Sequence, residues 1–488
     1  MHVPLTLIDF LERAELVYGD RIAVVDEPIA GGLGGITYRE LGAMARSLAS
    51  SLDALDIPAG ARVAIVSPNS TRFLISLFGI SAFGRVLVPV NFRLNAEEIR
   101  YIVEHSGATV MLVDPELEAH VRDVPVAHRI ILDEASDSIL RRSEPPRHRV
   151  TDEAATVSIN YTSGTTARPK GVQLSHRSCW LNAVTFGWHV GVTDRDVYLH
   201  TLPTFHCNGW GMPYALTAMG VRQVIIRKID GAEILRRIET EGVTLLNGAP
   251  AVVAAILDAA ALRRERGEPV PGRGTVRMVV AGAPPPSKAI ERLQSELGWE
   301  FIQIYGLTET SPLLTINRAP IEWDEVEPAE RARRLSRAGV PAIGVRLDVS
   351  PGGELLARSN HVFDGYYEQP DETARAVVDG WFHTGDGGHL DGAYAVITDR
   401  KKDVIISGGE NVSSIEVEDT LFSHPAVAEV AVIGQDEVQY EAFSYCLGKA
   451  VCRGLYIDDR LSSVGRLGLG FVVVVAGNKG KRREQENE

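Results

Sequence analysis

Apolar positions in the first half of the chain switch back and forth between helical and strand spacing. Thr37-Tyr38-Arg39-Glu40 reads as a capping box, and behind it Leu41, Met44, Leu48, Leu52 and Leu55 share one helical stripe. Arg62 to Val66 is a short β-rich run, and Asn69 stands where it would cap the helix that follows. Val86 to Val90 is the next strand. Asn95-Ala96-Glu97-Glu98 is a second capping box leading into Ile99, Ile102 and Val103, and Thr109 to Val113 is again a strand. The rhythm returns at Asp230 to Asn247. There Ile234, Leu235 and Ile238 line one helix face, Gly242 ends the helix, and Val243 to Leu246 is a strand. Strands alternating with helices predict an α/β protein with mostly parallel sheets flanked by helices. Two charged, Pro-rich stretches, Arg141 to Arg149 and Arg264 to Gly274, read as exposed loops.

Composition narrows the function classes. A chain of 488 residues predicts about three folding units. With 45% hydrophobic and 23% charged residues, whole-chain disorder is excluded. The net charge of −14 argues against a nucleic-acid or anionic-membrane binder. It leaves room for an anionic ligand held by local donors. Four cysteines make no disulfide framework; Cys446 and Cys452 lack zinc spacing, and Cys179 and Cys207 read as packing residues. The first residues show no basic, apolar leader, and no apolar run approaches the length of a membrane span; Phe471 to Ala476 is far too short. A cytoplasmic protein without an integral membrane segment is expected.

Thr156 to Tyr161 reads as a strand running into Thr162-Ser163-Gly164-Thr165-Thr166-Ala167-Arg168-Pro169-Lys170-Gly171. Small residues let backbone N–H groups approach an anion, hydroxyls add donors, and Lys170 adds a point charge. This is not the loop of P-loop NTPases, because Gly171 and not Ser or Thr follows Lys170. On composition alone, a polar surface turn is an equal reading. The whole string YTSGTTARPKG resembles the signature of the adenylate-forming (AMP-binding) superfamily, which includes acyl-CoA synthetases, luciferases and peptide-synthetase adenylation domains. Further stretches match that family's other motifs in the same order. They are Tyr305 to Thr310 (YGLTET), Gly380 to Asp386 (GWFHTGD), and Asp399 to Asp403 (DRKKD) followed by Ser407 to Asn411 (SGGEN). The resemblance spans about residues 5 to 434.

The resemblance implies a reaction and a set of roles. A carboxylic acid is joined to the α-phosphate of ATP with release of pyrophosphate, and CoA then takes the acyl group as AMP leaves. Thr162, Ser163, Gly164, Thr165, Thr166 and Lys170 would hold the triphosphate, with Thr165 and Lys170 at the reacting phosphates. Thr308 would lie near the α-phosphate, and Glu309 would hold Mg2+, a hard cation that prefers oxygen. Gly282, Ala283, Pro284, Tyr305 and Gly306 would flank the adenine. Asp386 would accept hydrogen bonds from both ribose hydroxyls, with Arg400 adding a contact. Leu202 to Trp210 (LPTFHCNGW) resembles the loop that forms the acid pocket, lined by His206. Phe205, Trp210 and Tyr214 suggest an apolar acid, fatty or aromatic. Lys402 matches the family's hinge, and Gly408 and Gly409 match the hairpin along the thiol channel. Ser413 to Glu416 would cap a helix bearing Val417 and Leu421, ending at His424-Pro425 before a strand from Ala428 to Ile433.

After Gly434 the resemblance stops. The family's terminal Gly-Lys motif, whose lysine binds the acid and the α-phosphate, has no equivalent in the last 54 residues. Lys449, Lys479 and Lys481 read as solvated side chains, so adenylation is expected to be weakened. A divergent C-terminus and an altered reading frame both account for the loss. The expected organisation is a large, multi-subdomain AMP-binding domain, 1–400, joined by a hinge to a small α+β domain, 401–488. The expected activity is that of an ATP-, Mg2+- and CoA-dependent acyl-CoA synthetase. Two rival readings are a degenerate nucleotide or acyl-adenylate binder with little turnover, and an enzyme that delivers to a carrier-protein thiol.

Overall fold

A computed structural model describes residues 2–162, 168–283 and 285–400, and beyond them 405–407, 410–412, 417–418, 427–434 and 471–477. The first large sheet has nine strands. Six run parallel in the order Glu300–Gly306, Arg277–Val280, Leu245–Gly248, Val197–His200, Arg222–Ile225 and Ile22–Val25. Leu313–Arg318 and Val340–Pro341 extend one edge and Gly35–Thr37 the other, all antiparallel. The second sheet has seven strands. His128–Ile131, Val110–Val113, Arg62–Val66, Val86–Val90 and Thr156–Thr162 are parallel, and Lys170–Ser175 and Gly365–Tyr366 continue it antiparallel.

The sheets are therefore parallel only in their middles. A third, five-stranded sheet is wholly antiparallel and was not foreseen: Arg346–Val349, Glu354–Arg358, Trp381–Asp391, Val377–Val378 and Tyr394–Arg400. Its strands are joined largely by tight turns, such as those at Gly353 and Gly392, both at positive φ, so no helical period marks them. Farther on, Val427–Gly434 contains the expected strand and pairs antiparallel with Phe471–Gly477.

The main core lies between the two large sheets. It gathers Ile302 and Ile304 from one sheet, Ile65 and Leu87 from the other, and the helices Tyr38–Ala54 and Thr71–Ser81. All eleven residues of Thr71–Ser81 are buried, the apolar ones in the core and Arg72 in a two-bond ion pair with Asp137. It packs so closely that a Cβ on Gly79 would stand 2.9 Å from the Ala45 carbonyl oxygen. Separate cores cover the outer faces, with Gly231–Glu241 and Pro250–Glu265 on one sheet and Ala96–Ser106 on the other.

The capping boxes at Thr37 and Asn95 form as expected. Leu55 is the C-cap of its helix and is exposed, so the buried stripe ends at Leu52. Strand starts slip: Val110 replaces Thr109, and the strand expected from Val243 begins at Leu245, after a left-handed C-cap at Gly242. Asn69 is not the cap. Ser70 accepts the Phe73 N–H, while Asn69 turns inward and joins the two large sheets. Its amide nitrogen donates to the His200 carbonyl at 2.7 Å and the Leu202 carbonyl at 3.0 Å, and its Oδ1 accepts from Thr204 N at 2.8 Å and Thr204 Oγ1 at 2.9 Å.

Asn69→Ala would leave four buried polar groups short of a partner. We expect it to destabilise the fold by about 2–4 kcal/mol in urea unfolding. A loss below about 1 kcal/mol would mean that the clamp does not hold the sheets together.

Candidate active site

The parallel strands Val197–His200, Leu245–Gly248, Arg277–Val280 and Glu300–Gly306 end on one edge of the nine-stranded sheet. Carboxyl ends of parallel strands are where open α/β sheets receive ligands. The segments leaving them carry the acid-loop residues from Leu202, then Gly282 and Ala283, then Thr308 and Glu309. Gly282 is exposed at φ +94, a conformation that favours glycine. Gly306 is needed for close approach, since a Cβ there would lie 1.6 Å from the Pro312 carbonyl oxygen.

Thr162 and Lys170 are cross-strand partners at the mouth of the hairpin formed by Thr156–Thr162 and Lys170–Ser175. Ser163, Gly164, Thr165 and Thr166 lie outside the described residues. Lys170 Nζ donates to Glu372 Oε2 at 2.5 Å and sits 4.9 Å from the centroid of the Tyr366 ring. The bond from Lys170 holds the Glu372 carboxyl below the usual range, helped by Arg375. Tyr366 turns its hydroxyl the other way, donating to Glu309 Oε1 at 2.9 Å. The main chain repeats the link, with Phe363 N–H donating to the Glu309 carbonyl at 2.8 Å.

Tyr305, half-buried at the end of its strand, donates through its hydroxyl to Asp386 Oδ2 at 2.8 Å. Asp386 is buried in Trp381–Asp391, and Arg400 is its cross-strand partner in Tyr394–Arg400. The pairing register thus brings together the two residues expected at one ribose. Pro284, Lys402, Gly408, Gly409 and the side chain of Arg400 lie outside the described residues, as do Leu421, His424, Lys449, Lys479 and Lys481.

The acid loop has an unusual backbone. Cys207, Asn208, Gly209, Trp210 and Gly211 all have positive φ, at 34°, 49°, 62°, 58° and 75°. Left-handed conformation costs about 1–2 kcal/mol for each non-glycine residue, so neighbours must hold the turn. Asn208 Nδ2 donates to Ser158 Oγ at 3.2 Å, on the phosphate-loop strand. Asn182 Nδ2 donates to the Trp210 carbonyl at 3.3 Å, and Asn182 Oδ1 accepts from Leu313 N at 3.1 Å. Burial raises the Cys207 thiol well above its ordinary pKa, so it stays a neutral donor, 3.9 Å from the Thr308 carbonyl. Phe205 and Trp210 are buried in the loop; Tyr214 is fully buried behind it, edge-on to Phe78 at 5.6 Å. The sequence reading missed Tyr366, Glu372, Asn182, Asn208 and Ser158. Only the Asn208-Gly209 pair carried a signal, since Asn and Gly tolerate positive φ.

A family model described as AMP-binding enzyme matches residues 11–367. The chain belongs to the AMP-binding enzyme family. It is 36% identical over 477 residues to the 2-methylpropanoate–CoA ligase CCL4 of Humulus lupulus, across 89% of this chain and 83% of that protein. The peroxisomal acetate/butyrate–CoA ligase AAE7 of Arabidopsis thaliana is 33% identical over 490 residues, across 90% and 84%. Among solved structures, the Bacillus subtilis O-succinylbenzoate coenzyme A synthetase in complex with ATP and magnesium ion is similar, with TM-score 0.74 and 26% identity. That match covers 88% of this chain and 87% of the other. The chain is an AMP-forming acid–thiol ligase with ATP, Mg2+ and CoA as cofactors. A degenerate binder finds no support among these relatives, which are named as ligases. No helix of the described residues is long and apolar enough to cross a membrane.

The residues present fit ATP and Mg2+. Lys170 offers a cation, Asp386 a buried carboxylate, and Glu309 a half-buried carboxylate oriented by a phenol. Among the described residues no cluster of three His, Cys, Asp or Glu gathers as a metal cage. Mg2+ pairs one or two carboxylates with substrate phosphates, and Glu309 offers one such carboxylate.

His206 keeps one side open to solvent while its ring lies 4.4 Å from Phe205. Partial burial, then the nearby Arg93 cation, push its pKa below 6.5. We expect its NMR titration midpoint to fall below 6.5 and to rise in Arg93→Gln. A midpoint above that value, or one indifferent to Arg93, would contradict this electrostatic account.

Proposed function

We propose that this enzyme activates an apolar carboxylic acid, fatty or aromatic, as its acyl-adenylate and then transfers the acyl group to CoA. The observation that carries the reading is the convergence of Lys170 and Glu309 on Tyr366, Lys170 from a strand of the seven-stranded sheet and Glu309 from the turn after a strand of the nine-stranded one. In the first step an acid oxygen bonds to the α-phosphorus as the bond to pyrophosphate breaks. In the second, the thiol gives up its proton, sulfur bonds to the acyl carbon, and AMP leaves.

Such chemistry asks the protein for position and for charge placed in advance. Lys170 with Thr162 and the loop Ser163 to Thr166 would neutralise the polyphosphate, and Thr308 would donate at the α-phosphate. Mg2+, held by Glu309, would offset charge on the phosphate oxygens. Asp386, Arg400 and Tyr305 would hold the nucleoside beside Gly282 and Ala283. The apolar acid rests on buried Phe205 and Trp210 around His206. The acids in the relatives' names, 2-methylpropanoate and acetate/butyrate, extend the range of candidates to short aliphatic chains. The division at residue 400, the hinge at Lys402 and the channel at Gly408 and Gly409 belong to the same proposal. So does a cytoplasmic location, to which the peroxisomal relative makes the peroxisome the rival.

Acid-dependent pyrophosphate release, followed by thioester detection by mass, tests the reading across short aliphatic, fatty and aryl acids. Glu309→Gln should lower kcat by about 10²–10³, the usual loss for one preorganised electrostatic contact. No acid-dependent release by the unaltered enzyme would overturn the function. A preference for hydroxy or amino acids would overturn the apolar pocket.

The missing terminal motif gives a separate expectation. Alanine at Lys449, Lys479 or Lys481 should leave the adenylation rate unchanged. If one of these variants abolishes adenylation, that lysine fills the role.

A further inference from the structure

We propose that Tyr366 is a positioning residue that sets Lys170 and Glu309 relative to each other, so that polyphosphate and metal are met in one fixed geometry. The inference rests on the reading of Lys170 as a phosphate cation and of Glu309 as the Mg2+ carboxylate.

A lysine on a flexible four-carbon stem does not hold a direction by itself. Lys170 is held on two sides. The Tyr366 ring lies 4.9 Å from its ammonium, within cation–π range, and Glu372 accepts its hydrogen bond at 2.5 Å. Glu309 is gripped by the same segment twice, through the Tyr366 hydroxyl and through the Phe363 N–H. A phenol donating to a carboxylate is a charge-assisted bond, stronger than a neutral one.

Tyr366 has little freedom to move. Gly365 and Tyr366 pair with Gln173 and Val172 of the strand that begins at Lys170. On either side, Asp364 N–H donates to the Gln173 carbonyl at 3.0 Å and Tyr367 N–H to the Gly171 carbonyl at 2.7 Å. The Tyr366 N–H donates to Thr373 Oγ1 at 2.9 Å, on the short helix Pro370–Ala376 that carries Glu372. The Phe363 ring packs against the Tyr366 ring at 4.8 Å and 66°. One side chain thus touches both charged groups, while its backbone pairs with the strand of one and Phe363, three residues earlier, bonds the carbonyl of the other.

A calorimetric titration with α,β-methylene ATP, which cannot lose pyrophosphate, reads the geometry without turnover. The unaltered enzyme should bind this probe more tightly with Mg2+ than without. Glu309→Gln should abolish that gain; if the gain survives, the reading of Glu309 fails and the inference fails with it. Tyr366→Phe keeps the ring and removes only the hydroxyl. It should cut the Mg2+ gain about tenfold, the usual loss for one charged hydrogen bond, and leave Mg2+-free affinity within about twofold. Tyr366→Leu should in addition weaken Mg2+-free binding about two- to fivefold, through loss of the cation–π platform. A full Mg2+ gain in Tyr366→Phe beside a lost gain in Glu309→Gln would overturn the positioning role and leave the function standing. Equal weakening of Tyr366→Phe with and without Mg2+ would overturn it as well, by showing a merely structural residue.

Discussion

Backbone hydrogen bonding along residues 363–367 joins the strand that begins at Lys170 to the turn that carries Glu309. On one side it extends the strand that begins at Lys170, and on the other it bonds the carbonyl of Glu309. Lys170 stands on a strand of the seven-stranded sheet, and Glu309 follows a strand of the nine-stranded one. A cleft between two sheets keeps a defined width only if something with little conformational freedom spans it. Main-chain pairing does that better than long side chains, because it fixes dihedral angles already set by the sheet. Asn69 makes a similar link deeper in the fold, at the root of the acid loop.

The electrostatics follow from this arrangement. A chain of net charge −14 handles a highly anionic nucleotide, so attraction must come from a few placed groups and not from the overall field. Lys170, proposed as one of them, rests between an aromatic face and Glu372. Glu309 and Asp386 each accept a bond from a tyrosine hydroxyl, Tyr366 in one case and Tyr305 in the other. Both phenols belong to the rigid scaffold, so the carboxylates are oriented by residues that carry no charge themselves.

The family was legible because its motifs are local. The string of residues 161–171 resembles the family's signature as a whole, where its composition alone left a surface turn open, and Glu309 and Asp386 stand inside short strings of recognisable form. Helix starts at Thr37 and Asn95 were legible for the same reason, since a capping box closes within four residues. Asn69 was misread because Ser70 is an equally good cap one position later, and only the distant carbonyls of His200 and Leu202 decide which of them turns inward. The antiparallel sheet of residues 346–400 escaped because burial does not alternate cleanly along its strands: Glu354–Arg358 buries three of its five residues, two of them adjacent.

Sequence by itself determined the alternation that makes an α/β protein and the family-specific loops and acidic residues, because each depends on neighbours a few positions apart. Tertiary structure decided the rest. That Tyr366 faces both Lys170 and Glu309, that Asn208 reaches Ser158, and that a left-handed turn survives at Cys207 to Gly211 are all consequences of contacts between distant segments. Such contacts leave no periodic trace along the chain, since a side chain's partner across a cleft is set by how sheets pack and not by the residues beside it.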